Sequence, residues 1–199
     1  MSITTLLAIF SFSIVMSISP GPVNIIIVTS GINHGFKKTF SFILGATIGF
    51  TLLLFLLAIG LKSILDLYAD FLFYVEIIGS SFIVYMGYKI ATSLGEISIE
   101  NKQNKIPTFY NGFLLQWLNP KAWIACISGV SMFVNNDKTL FIFVLIYFVV
   151  CYLCLSFWGI LGQKIAMFLS TNIRLRIFNM IMGSILIFSA LLLIVRHLF

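Results

Sequence analysis

Ser19-Pro20-Gly21-Pro22-Val23-Asn24 interrupts an apolar run from residue 3 to residue 31 that would otherwise read as one membrane-crossing helix. Each proline lacks a backbone N–H and its ring crowds the carbonyl four residues back, so Met16 and Ile18 lose their helical donors. In hydrocarbon, broken backbone survives only where protein buries it or a watery cavity receives it. The interruption therefore marks an interior site. A second one, Asn119-Pro120-Lys121, falls one hundred positions later in another long apolar run. Interrupted helices placed alike in two halves of a chain are the best sequence pointer to a substrate site between membrane helices.

Of the 199 residues, 60% are hydrophobic and 9% charged, against about a quarter charged in a soluble domain. The chain reads as an all-α integral membrane protein. A crossing helix needs about 20 apolar residues, and six runs qualify: 3–31, 39–61, 71–91, 108–134, 140–164 and 175–195. The expected fold is a single transmembrane domain over 1–199 with six transmembrane helices, the first and fourth broken at the proline motifs. Ser19-Pro20 and Asn119-Pro120 each read as an N-cap followed by proline at the first helical position. Ser30-Gly31 matches Ser128-Gly129, and Ile78-Gly79-Ser80 matches Met182-Gly183-Ser184. These matches predict two inverted three-helix repeats, 1–92 and 108–199, joined by a cytoplasmic linker, 93–107, that carries Glu96, Glu100, Lys102 and Lys105.

The net charge of +6 sorts by membrane side. Lys37, Lys38, Lys89, Lys102, Lys105, Lys164, Arg174 and Arg176 fall at one set of loops, and Lys62, Lys138 and Arg196 at the other. The positive-inside rule makes the first set cytoplasmic and puts both termini on the outer side of the membrane. The basic balance is thus topology in a lipid bilayer, with no nucleic acid implied. Nothing in the sequence decides for or against a homodimer.

Lys121 lies about a dozen residues from either end of its run, so roughly 15 Å of hydrocarbon separates it from each interface, too far to snorkel. It must face the interior, in the first turn of a half-helix whose N–H groups already carry partial positive charge. Two readings follow: a permanent ion pair with Glu76, or a pocket for a carboxylate that comes and goes. Asn24 offers donor and acceptor to a bound zwitterion, or to a neighbouring helix. Gln116, whose carbonyl Pro120 frees, is a further candidate for the same cavity. Glu76 is the acidic residue well within an apolar span; it is a candidate for ion coupling, or simply a carboxylate solvated near the outer interface. Gly45 and Gly49 have the spacing that lets helices approach closely, and Gly79 shares a helical face with Glu76. His34 falls in the cytoplasmic turn Asn33-His34-Gly35 and reads as a solvated loop histidine.

Cys151-Tyr152-Leu153-Cys154 has the spacing of a thiol pair, which keeps a membrane thiol-disulfide carrier as an alternative; Cys126, Cys151 and Cys154 also read as small buried hydrophobes. No cluster of His, Cys and carboxylate ligands appears, so no metal site and no cofactor is expected, although a metal-ion exporter on the same scaffold remains a competing class. No phosphate loop, catalytic triad or zinc signature points to an enzyme.

Taken together, Ser19-Pro20-Gly21-Pro22-Val23-Asn24, Gly31, Gly35, Gly45, Gly49, Gly79, Tyr85, Lys89 and Asn119-Pro120-Lys121 resemble the LysE/RhtB family of amino-acid exporters along the whole chain. Tyr88-Lys89-Ile90-Ala91-Thr92-Ser93 and Leu115-Gln116-Trp117-Leu118-Asn119 are most similar to its cysteine and O-acetylserine exporter branch. The resemblance implies a multi-pass secondary transporter of the bacterial plasma (inner) membrane that exports small neutral amino acids by proton antiport. It agrees with a site at Pro20, Gly21, Pro22, Asn24, Gln116, Asn119, Pro120 and Lys121. Many relatives carry aspartate or asparagine where this chain has Val23.

Overall fold

The structure, a computed structural model, describes residues 2–61, 71–92, 106–169 and 171–195, without the side chains at 61, 71–73, 75, 76, 189 and 192–195. Its elements are α1 (Ile3–Ile18), α2 (Pro22–His34), α3 (Phe36–Leu56) with a π turn at Leu57–Leu61, α4 (Phe71–Ala91), α5 (Phe109–Trp117), α6 (Pro120–Phe133), α7 (Asp137–Ala166) and α8 (Asn172–Val195). Lys62, Glu96, Glu100, Lys102, Lys105 and Arg196 lie outside the described residues, as does most of the expected linker, and so does the side chain of Glu76.

The helices start where side chains can replace missing intrahelical partners. Thr108 and Asn111 form a reciprocal capping box at α5, and Asn136 and Thr139 another at α7. Between α2 and α3 a single residue, Gly35, turns the chain at φ 79°, a conformation in which a Cβ would be strained. The Phe36 N–H leaving that turn donates to Gln163 Oε1 of α7 at 2.7 Å.

Six spans in two inverted three-helix repeats are not what the described residues contain. Two helices there are long and apolar enough to cross a membrane, 36–60 and 137–166, and a third arises if α1 and α2, bent by 59°, count as one span. For the runs 3–31 and 108–134 the difference comes from the breaks. The run 108–134 is cut into pieces of 9 and 14 residues, and at about 1.5 Å per residue neither reaches across the ~30 Å hydrocarbon core. In the run 71–91 the apolar helix with described side chains is Ile77–Ala91.

Between membrane helices there is no apolar-to-water transfer to gain from, so close packing holds them together. Gly45 and Gly49 of α3 lie against the backbone of Phe109 and Phe113 in α5, and Gly112 of α5 lies against Phe42 in return. Gly31 of α2 meets Gly159 and Gly162 of α7, Gly87 of α4 meets Gly183 of α8, and Gly79 abuts the Leu118 carbonyl at the second break. In the centre, Phe50 stacks on Tyr147 with centroids 4.4 Å apart, and Phe12, Phe133 and Phe143 close edge-on around them. α7 turns Phe141, Leu145, Val149, Leu153 and Phe157 outward at four-residue spacing, an apolar face suited to lipid.

Candidate functional site

The first break differs from its expected form. Gly21, not Ser19, is the N-cap, and α2 begins at Pro22, not Pro20. A residue before proline is pushed out of the helical region into extended backbone. Ser19 (ψ 134°) and Gly21 (φ −170°, ψ 177°) both obey, so no helix can start between the two prolines.

Every carbonyl from Val15 to Gly21 finds a donor, which is what buried backbone requires. Val15 accepts from the Ser19 N–H at 3.2 Å and Met16 from Ser19 Oγ at 3.3 Å. Ser17 accepts from Asn24 Nδ2 at 3.0 Å, and Ile18 from Trp158 Nε1 of α7 at 3.2 Å. Ser19 accepts from Lys121 Nζ at 2.9 Å, Pro20 from the same ammonium at 3.4 Å, and Gly21 from the Ile25 N–H at 3.0 Å. Lys121 Nζ also donates to Ser19 Oγ at 2.8 Å. Prolines expose these carbonyls, and α6, α7 and the Asn24 side chain supply most of their partners.

The second break is tidier. Asn119 caps α6 by accepting the Lys121 N–H on Oδ1 at 3.1 Å, its carbonyl takes the Ala122 N–H at 2.9 Å, and Pro120 occupies the first helical position. α6 thereby satisfies its own start and projects Lys121 into the first break. The ammonium lies at the C-terminal end of α1, where carbonyls carry partial negative charge. Its neighbours are two backbone oxygens and the Ser19 hydroxyl, and no salt bridge occurs among the described residues. The start of α2 has no side-chain cap, so it keeps unsatisfied N–H groups beside that ammonium. A Cβ on Gly21 would stand 3.3 Å from Lys121 Nζ.

A narrow cavity of ≈ 30 Å³ opens where the two breaks meet, room for a water or two. Of the residues singled out in the sequence, Gly21, Asn24, Gln116, Asn119 and Lys121 line it. Pro20, Pro22 and Pro120 shape the breaks without lining the cavity, and Gly45, Gly49 and Gly79 pack helices away from it. Val23 is buried in the wall. Ser17, Phe50 and Tyr147 were not anticipated; a hydroxyl two residues before the break and a tyrosine within an apolar run were the available signals. Cys151 lines the cavity and Cys154 does not, and all three thiols are free. Among the described residues no three His, Cys, Asp or Glu side chains converge.

The sequence model of the LysE type translocators matches residues 14–197, a stretch containing both breaks and the whole cavity. This chain belongs to the LysE type translocator family. It is a transporter, not an enzyme, and its membrane-crossing helices fit a multi-pass place in the inner membrane. The cysteine/O-acetylserine efflux proteins of Escherichia coli K12, of E. coli O6:H1 and of Shigella sonnei are each 31% identical to this translocator over 137 residues, covering 67% of it and 68% of their own length. No solved structure matches it.

Proposed function

We propose that this translocator exports small neutral amino acids from the cytoplasm, taking the substrate carboxylate at Lys121 and the uncapped start of α2. The observation that supports it most is the reach of Lys121 Nζ from one broken helix into the other. An ammonium and unsatisfied N–H groups placed together favour an anion, as helix starts in transporters do. The contact to the Pro20 carbonyl, at 3.4 Å the longest the ammonium makes, is the one a carboxylate oxygen would replace. Asn24 donates through Nδ2 to Ser17 and Ser19 carbonyls, which leaves its Oδ1 as the acceptor for a substrate ammonium. Among the described residues no acidic side chain lines the cavity, which favours neutral over cationic side chains. The relatives' names, cysteine/O-acetylserine efflux protein, narrow the proposed cargo to amino acids of that size. The charge pattern supports termini on the outer side, and proton antiport, which the family resemblance implies, would drive the export.

Lys121→Met tests the carboxylate site. Efflux from cells or vesicles preloaded with cysteine or O-acetylserine should fall about a hundredfold, the equivalent of losing about 3 kcal/mol from charged hydrogen bonds, with the protein still inserted. Undiminished efflux from the variant would sink the proposal.

A further inference from the structure

Hydroxyls inside membrane helices ordinarily bond back to the carbonyl four residues earlier. Ser13 does so to Ile9 at 2.7 Å, Thr47 to Ile43 at 2.9 Å and Thr51 to Thr47 at 2.9 Å. Ser17, one turn beyond Ser13, does not. Its side chain is 7% exposed and its Oγ lacks a hydrogen-bond partner. Thr29, Ser80, Trp117 and Ser156 also hold an orphaned buried polar atom among the described residues, but of the five only Ser17 lines the cavity. Its hydroxyl lies beside Tyr147 and Cys151, which line the same cavity, without reaching hydrogen-bond geometry with either.

A buried hydroxyl left unpaired costs free energy that an arriving partner recovers. The carboxylate and ammonium of an amino acid are already provided for at Lys121 and Asn24, so the group that meets Ser17 belongs to the side chain. Resting on the reading above and refining it, we infer that Ser17, with Tyr147 beside it, is the specificity-determining residue of the cavity: its hydroxyl pairs with a hydrogen-bonding group on a short substrate side chain and so discriminates against the apolar isostere. Met16, Val23, Phe50 and Leu155 complete the wall with apolar surface, which offers a charged side chain nothing. A site built to pair a substrate hydroxyl or thiol rejects the analogue lacking it, because the protein group is then stranded.

The experiment uses matched pairs: serine against alanine, and cysteine against 2-aminobutyrate, each loaded into vesicles holding the full-length protein. The native chain is expected to export the hydrogen-bonding member of each pair about tenfold faster or more. In Ser17→Ala that ratio should collapse by about the same factor, Ser17→Thr should keep it, and Tyr147→Phe should lower it in part. Equal export of both members by the native chain would overturn the inference. So would an equal proportional loss in Ser17→Ala, which is the mark of a packing role. Should none of the four amino acids leave the vesicles, the amino-acid reading itself fails and takes this one with it.

Discussion

At the first break two prolines flank one glycine; at the second a single proline follows an asparagine. The pair of prolines holds Ser19 and Gly21 in extended backbone, so the carbonyls before α2 must be satisfied from Lys121, Trp158 and Asn24. The lone proline at position 120 leaves Asn119 free to cap α6 unaided. One break is open and dependent on distant side chains, whereas the other is closed and supplies the lysine. A proline interruption therefore does not by itself make a site. It becomes one when the chain cannot repair it locally.

That difference can be attacked at three points. Pro22→Ala releases Gly21 from its restriction and should lower export about tenfold, equivalent to about 1.4 kcal/mol, whereas Pro120→Ala should cost far less because Asn119 still caps; equal losses in initial efflux rate would erase the asymmetry. Trp158→Phe strands the Ile18 carbonyl and should destabilise the protein by about 2 kcal/mol, read as a lowered melting temperature in detergent, with no loss if water replaces the indole. Asn119→Ala removes a helix cap worth about 1 kcal/mol and should cost stability more than transport. An efflux defect in it as deep as that of Pro22→Ala would show the second break to be open as well.

Both interruptions were legible in the sequence, because proline chemistry is local and Asn-Pro-Lys spells a helix start. That Lys121 had to face inward was legible too, from its depth in an apolar run. Its partners were less so: of the three oxygens it reaches, the carbonyls of Ser19 and Pro20 carry no residue-type signal, and the Ser19 hydroxyl alone does. The start of α2 was misplaced by two residues because the restriction that Pro22 imposes on Gly21 outweighs the capping preference of Ser19. Counting apolar runs produced six spans because each interrupted run was still counted as one crossing, although the pieces α5 and α6 are each too short to cross alone. Trp158 and Tyr147 sit over a hundred positions from the break they serve, a separation no local pattern reports.

Gly35 is the entire connection between α2 and α3. A joint of one residue has no slack, and Gln163 clamps its far side to α7. The end of α2 and the start of α3 are thus held within one residue of each other, and α7 fixes the place where they meet.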